Sequence, residues 1–553
     1  MDRRETLTTL IGKRVSTPVA APIKPPEDTT LAPYAGAWGF EQAAHLLRRA
    51  MFSPTLTQIK TAINKGLDAT LEELLQELPL PEPPVNHYYR RDRFVAVGET
   101  WVDAPYDRED ESVTYRNDSL RAWQMGLIFT EGVSIREKMT LFWHNHFAVN
   151  DIEDARYLYR YITLLRSNFL GNFRELVKEV TIDPAMLRFL NGTDNVKEAP
   201  NENYARELLE LFTIGKGPFA GPGDYTNYTE QDVAEMARAL TGWYENASTS
   251  GDRDKKVEAY FGLDAHDTGV KQLSHRFDNA IITNMGDQEY AHLVDIIFQK
   301  REVARFICRK LYRWFVYYKI DENIETNIIE PMAQLLIDND YSIRPVVETL
   351  LRSEHFFHIL SIGPMIKNPI DFVISLIKIS EPTFSENLEY RYLSWYDYFK
   401  GAALMQMEYF FPPEVAGWKP YYQSPAFYRI WINASTLGFS MEFVDQTFYY
   451  YDDQDERVIK FDVLKFIKQL DDPYDPNKVI EGFAQILFPR PITAKQITAL
   501  KEIILPGLPD YEWGVEYTDY EANPNDMQLA NAIDTKLREL LSQMMKMAEF
   551  YLS

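Results

Sequence analysis

The sequence predicts a mainly α-helical protein: a large, irregular multi-helical body with long loops and little or no β-sheet. Two observations carry that expectation. Apolar residues recur at three- and four-residue spacing through most of the chain, whereas runs alternating every second residue are scarce. Of 553 residues, 45% are apolar and 14% aromatic, enough apolar surface to offset the entropy of ordering so long a chain. At roughly 100–200 residues per domain the length allows about three units, and a helical protein of this size also folds as one body.

Proline and small residues crowd positions 15–34, so 1–34 is expected to be a flexible leader, 35–445 the main helical domain and 446–553 an accessory helical region. A helix opens near Glu41 and closes before Pro54. Helical spacing continues over Leu56–Leu78, Leu120–Phe147, Phe169–Phe189, Asn203–Ile214, Thr229–Leu240, Tyr290–Tyr318 and Ile324–Leu351. The acidic stretch Trp101–Asp118 reads as an exposed loop, as does Gly215–Gly223 with its glycines and prolines. Thr229 and Asp232 have the spacing of a capping box, and Gly242 supplies a stop. Ile281–Thr283 is the best strand candidate. Tyr449–Glu456 and Asp510–Asn525 read as acidic connectors among helices over Val458–Leu470, Asn477–Leu487, Ala494–Ile504 and Met527–Leu552.

Lysine and arginine total 58 against 82 acidic residues, a formal net charge of −24, so a nucleic-acid partner is not expected. Cys308 is the single cysteine, which excludes an internal disulfide and a thiolate metal cluster; its apolar surroundings read as core. No apolar run reaches the roughly 18–20 residues of a membrane span. Arg3-Arg4 has the look of a twin-arginine leader, but the residues after it are too short and polar for the apolar part of a signal peptide. No Gly-x-Ser-x-Gly elbow, His-Glu-x-x-His, phosphate-cradling loop or dinucleotide fingerprint occurs.

Polar chemistry concentrates in three places. His144 and His146 sit two apart at the end of a helix, facing about 200° away from each other, so they share a ligand only if the helix ends between them. Glu202, Arg206 and Glu210 form one ridge of the next cluster, with Glu207 beside it. They line a site within a bundle or make ion pairs on a solvated face. His266, Asp267 and Lys271 surround a glycine turn, which suits an anion or metal site as well as an ordinary loop. Histidines on an apolar helix face are also common core residues, so both readings stand.

Strings around these clusters, with others, resemble a known family. They are Ala44–Phe52, Arg136–Met139 through Trp143-His144-Asn145-His146-Phe147, Asn201–Gly215, Thr229–Trp243, His266-Asp267 with Lys271, Lys310–Val316 and Pro412–Trp418. In order across most of residues 40–440, they resemble the bacterial family called domain of unknown function 1800. The resemblance implies a mostly helical, often exported protein, whose gene commonly lies beside one for the domain of unknown function 1501 family. A protein of that second family is therefore the expected partner. The resemblance and Arg3-Arg4 point to a periplasmic destination, and the lack of an apolar leader to the cytoplasm. No reaction comes with the family.

Two functions follow. The first is an acid–base or metal-assisted site, with His144, Glu202, Arg206, Glu207 and Lys271 as catalytic groups. His144, His146, Glu210, His266 and Asp267 would hold a divalent ion such as zinc, manganese or iron. The second is a non-catalytic helical platform for the partner protein or a polysaccharide, using the abundant aromatic residues.

Overall fold

Local punctuation sets where the helices begin. Thr55 with Gln58, Thr229 with Asp232 and Thr493 with Gln496 form reciprocal capping boxes, and Asp154, Asn172, Asp183 and Asn368 cap with their side chains. The computed structural model describes residues 29–105, 111–246, 256–449 and 459–553. Residues 1–28, most of the Tyr449–Glu456 connector and part of the Trp101–Asp118 stretch lie outside the described residues.

The protein is predominantly α-helical. The helices that organise it are α1 (Phe40–Ala50), α2 (Ser112–Thr130), α3 (Arg136–His146), α4 (Ala155–Ser167), α5 (Asn203–Glu207), α6 (Glu230–Ala239), α7 (Glu289–Ile297), α8 (Arg301–Phe315), α9 (Pro369–Lys378), α10 (Leu388–Leu404), α11 (Pro476–Leu487) and α12 (Met527–Lys546). Helix α2 packs along α10, α3 along α4, and α12 gathers the C-terminal helices. Gly126 lets α2 and α10 meet closely, because a Cβ there would collide with the Trp395 ring. The C-terminal helices are tied to the body: Arg48 of α1 donates to the Gln485 and Ile486 carbonyls of α11 (3.0 and 2.7 Å), and Ile366 bridges Leu552. Among the described residues, strands occur only as three two-stranded antiparallel ribbons, and no helix is long and apolar enough to cross a membrane.

Several elements differ from expectation for identifiable reasons. The helix over Leu56–Leu78 breaks at Gly66, whose φ is +84°. Tyr290–Tyr318 divides into α7 and α8. Asp510–Asn525 contains a helix, Tyr511–Ala522, because Trp513, Tyr517 and Tyr520 recur at helical spacing and are buried. Of the stretch Trp101–Asp118, residues 112–118 open α2, and Trp101 is fully buried with its indole N–H on Ser119 Oγ at 3.1 Å. Ile281–Ile282 pairs with Lys271–Gln272, close to the strand candidate. Phe219–Gly221 with Asp224–Tyr225, and Trp243–Glu245 with Ala259–Phe261, are too short to show a period.

At the centre lies α3, with every residue except Asn145 buried. Its Glu137 accepts from Arg166 of α4 (2.7 and 3.0 Å) and from Gln124 of α2 (2.8 Å), both partners buried. Burial pushes Glu137 upward, but Arg166 holds it below the usual carboxylate range. Neighbouring Glu131 is pushed up to about 8 by burial and by the charge on Glu137. An Arg166→Leu variant leaves Glu137 buried with only the more distant Arg136 (3.5 Å) as a cation. The expected cost is ~3–5 kcal/mol, read as a lower urea midpoint, and an unchanged midpoint would show that this pair does not hold α3 in place.

Candidate functional site

Each of the three sequence clusters has its own surroundings. The His144 ring stacks on Tyr409 (5.3 Å between centroids) and meets Trp418 edge-on. Its Nε2 accepts from the Phe410 N–H at 3.2 Å, Nδ1 has no partner, and burial lowers its pKa to about 3. The loop carrying Trp418 docks on α3 because Asn145 Oδ1 accepts from the Trp418 N–H (3.0 Å), and because residue 417 is glycine. Gly417 has φ +87°, and a Cβ there would fall on the carbonyl and side chain of Asn145.

His146 faces elsewhere, as expected for residues two apart. Its Nε2 donates to the Phe212 carbonyl (3.0 Å), and its Nδ1 accepts from Lys310 Nζ (2.9 Å), which also donates to the Leu211 carbonyl (3.0 Å). Those carbonyls end the π-helical turn Leu208–Thr213 that continues α5. Carbonyls of a last helical turn lack intrahelical partners, so His146 and Lys310 cap that end. The first and second clusters thus meet through backbone oxygens, not through the carboxylates.

Those carboxylates stay near the surface. Arg206, 32% exposed, pairs with Glu202 (2.9 Å) and with Glu230 of α6 (2.8 Å). Such pairs are worth about 0–1 kcal/mol. Glu210 accepts from the Tyr228 hydroxyl (2.9 Å) and lies 3.4 Å from Lys216; burial and Glu210 together raise Glu207. Around the third cluster, Asp267 takes Arg238 of α6 (2.7 Å), while His266 and Lys271 converge on Glu289 of α7 (3.2 and 2.5 Å), all three fully buried. Lys271 also donates to the Asp267 carbonyl. Glu289, which makes this cluster a unit, was not among the sequence candidates. Among the described residues, no three His, Cys, Asp or Glu side chains come together as ligands for a metal ion.

A different set of residues shares a cleft. Arg48 and Arg49 end α1, Lys138 lies in the first turn of α3, and Lys367 precedes α9; these four cations line a space of about 30 Å3 with one side-chain carboxylate, Asp371. Asp371 is bound to Lys138 (2.5 Å) and to Asn368 Nδ2 (2.7 Å). The arginines are held by neutral acceptors, Arg48 as above and Arg49 by the Phe315 carbonyl (2.9 Å) and Ser553 Oγ (3.1 Å). Burial lowers both to about 10, which leaves them charged at neutral pH. Lys367 has only a long bond to Ser375 Oγ (3.4 Å) and sits over the Phe550 ring (3.9 Å). Burial, then the nearby Arg48, lowers it to about 7.

A second compartment of about 40 Å3 adjoins the first and shares Trp314, Met365, Tyr421 and Tyr428 with it. It is lined by His146, Lys310 and Arg313. Lys310, Arg313 and Trp314 share a face of α8 because they are three and four residues apart. Burial, then Arg313, lowers Lys310 to about 7, and burial with Lys310 holds His146 well below its ordinary value. Trp314 is 7% exposed and its Nε1 has no hydrogen-bond partner.

The family described as "Protein of unknown function (DUF1800)" matches residues 45–551. The chain belongs to this family. Neither a curated protein nor a solved structure matches it. The DUF1800 match runs through the helical body and on into the C-terminal helices. Of the site residues expected from the sequence, the cleft takes only His146. Arg48, Arg49, Lys138, Lys310 and Arg313 nevertheless lie inside strings that carried the family resemblance. Nothing else in the sequence marked them, because these helices carry several other charged residues. Lys367 and Asp371 lie outside those strings.

The buried unit at Glu289 yields a direct check. Glu289→Gln leaves Lys271 buried without a counter-charge, and the expected loss is ~3–5 kcal/mol. Calorimetric melting should show a clear drop, whereas an unchanged melting temperature would mean that Lys271 does not depend on this carboxylate.

Proposed function

We propose that the protein binds a small anionic ligand in the two-part cleft, and that Lys310 is the group placed to exchange a proton with it. The charge imbalance carries this reading: six cationic side chains, Arg48, Arg49, Lys138, Lys310, Arg313 and Lys367, line the cleft with Asp371 as the side-chain carboxylate among them, in a chain of net charge −24. Cations withdrawn from water onto neutral acceptors lose hydration that those acceptors restore in part, and a bound anion supplies the rest. The aromatic walls lower the local dielectric and strengthen that attraction.

Lys310 suits proton exchange by geometry. Its Nζ donates to His146 Nδ1 and the Leu211 carbonyl, lies over the Phe306 ring (4.7 Å), and belongs to a side chain that lines the cleft. A lysine titrating near 7 serves as acid or base at neutral pH. His146, kept neutral with its Nε2–H on the Phe212 carbonyl, orients Lys310. The metal-assisted alternative draws on His144, His146, Glu210, His266 and Asp267, which lie in different surroundings. The acid–base reading needs only residues that share one wall, and it is preferred.

Thermal-shift titration of the full chain with phosphate and small carboxylates tests the binding. Millimolar anion should raise the melting temperature of the wild type, and Arg49→Met and Lys367→Met should reduce the shift. Glu207→Gln, outside the cleft, should leave it intact. No shift with any anion at low ionic strength would refute the reading.

The sign of the pH dependence follows from the lysines. Folding lowers Lys310 and Lys367 from 10.5 to about 7, so between about 7 and 10.5 the unfolded chain binds more protons and stability rises with pH. The penalty is full below about 7. An anion favours the charged lysines and acts oppositely: binding is tightest below pH 7 and weakens by up to about tenfold per unit above it for each lysine required. Calorimetry at pH 8 in two buffers of different ionisation enthalpy should reveal proton uptake on binding.

A further inference from the structure

Resting on that anion-binding reading, we infer that the ligand carries two acidic groups, one held by Lys310 and Arg313, the other by Arg49 and Lys367, with its uncharged middle passing Trp314. The two compartments are small, about 40 and 30 Å3. Each has room for a few waters or for one carboxylate-sized group. They are not independent, because Trp314, Met365, Tyr421 and Tyr428 form a wall of both.

Cations stand on both sides of that wall. Lys310 is held by His146, the Leu211 carbonyl and the Phe306 ring, with no carboxylate in hydrogen-bond reach, and Arg313 donates its Nε–H to the Tyr318 carbonyl (3.1 Å). Across the wall, Lys367 has no carboxylate partner of its own, because Asp371 is engaged by Lys138 and Asn368. A ligand with a single charge satisfies one side and leaves the other as it was.

The wall itself supplies a second, independent observation. Trp314 Nε1–H is a buried donor without a partner, on a residue that lines both compartments. Buried indole N–H groups ordinarily find an acceptor. An oxygen on the ligand, between its two ends, would provide one. Apolar contact with Met365 and the tyrosines then suits a short uncharged spacer. The compound class is a small dicarboxylate or an acid with one carboxylate and one phosphate-type group.

Isothermal titration of the full chain at pH 6.5 and low salt separates the possibilities. The probes are acetate, the straight-chain dicarboxylates from malonate to adipate, and phosphonoacetate with 3-phosphonopropionate. One chain length should bind ~10-fold or more tighter than acetate, as expected when the second contact becomes intramolecular. Lys310→Met and Lys367→Met should each bring that ligand back toward acetate-like affinity and remove its chain-length preference. Trp314→Phe, which keeps a ring but removes the donor, should weaken binding a few-fold. A preference for the phosphonates over the dicarboxylate of equal length would identify the phosphate-type source.

Acetate and every two-headed acid binding equally would overturn this inference and leave single-anion binding in place. No binding by any probe would overturn both. Circular dichroism checks that the variants fold, and if one does not, the chain-length dependence of the wild type still decides the matter.

Discussion

Burial of α3 is the constraint on which the rest of the structure depends. This helix carries Arg136, Glu137, Lys138, His144 and His146 into the interior, and a charged or polar group taken out of water must find a partner or lose several kcal/mol. Each partner comes from a different part of the chain. Glu137 draws in α2 and α4 through Gln124 and Arg166, and Lys138 draws in the first turn of α9 through Asp371. Asn145 holds the loop at Trp418, and His146 with Lys310 holds the end of the helix that begins with α5. One helix therefore fixes where at least five other segments sit.

The cationic cleft is a by-product of the same arrangement. Lys138 lies in the first turn of α3, where a helix dipole disfavours a cation, and Asp371 offsets this from the first turn of α9, where a carboxylate is favoured. With Asp371 committed there, the arginines at the end of α1 and Lys367 are left to backbone carbonyls, a hydroxyl and an aromatic face. An overall charge of −24 is thus compatible with a local excess of positive charge, because net charge says nothing about where the unmatched groups are buried.

Legibility tracked the range of the interaction. The capping box at Thr229 and Asp232 was readable because its partners are three residues apart, and Asp232 proves to do more, accepting also from the Ser274 N–H and hydroxyl (both 2.7 Å). The acidic segment beginning at Asp510 hid a helix, since charge suggested a connector while three aromatic residues kept the helical spacing. Of the nine candidate site residues, His146 reached the cleft. Glu202, Arg206 and Glu210 drew notice for their i, i+4 spacing, which ion pairs near the surface satisfy equally well. Glu289 went unnoticed because nothing near it in sequence marks it: its partners, His266 and Lys271, lie on a different element.

By itself, the sequence determined the helical class, the family and the helix start at Thr229, all of which rest on short-range periodicity, capping chemistry or strings of adjacent residues. Only the tertiary structure decided which partners the buried cations meet. Whether Lys138 meets a carboxylate and Lys367 does not depends on how α1, α3, α8 and α9 cross, and side-chain packing across segments hundreds of residues apart sets those crossings. The cleft belongs to that second category, since no single segment contains more than a part of it.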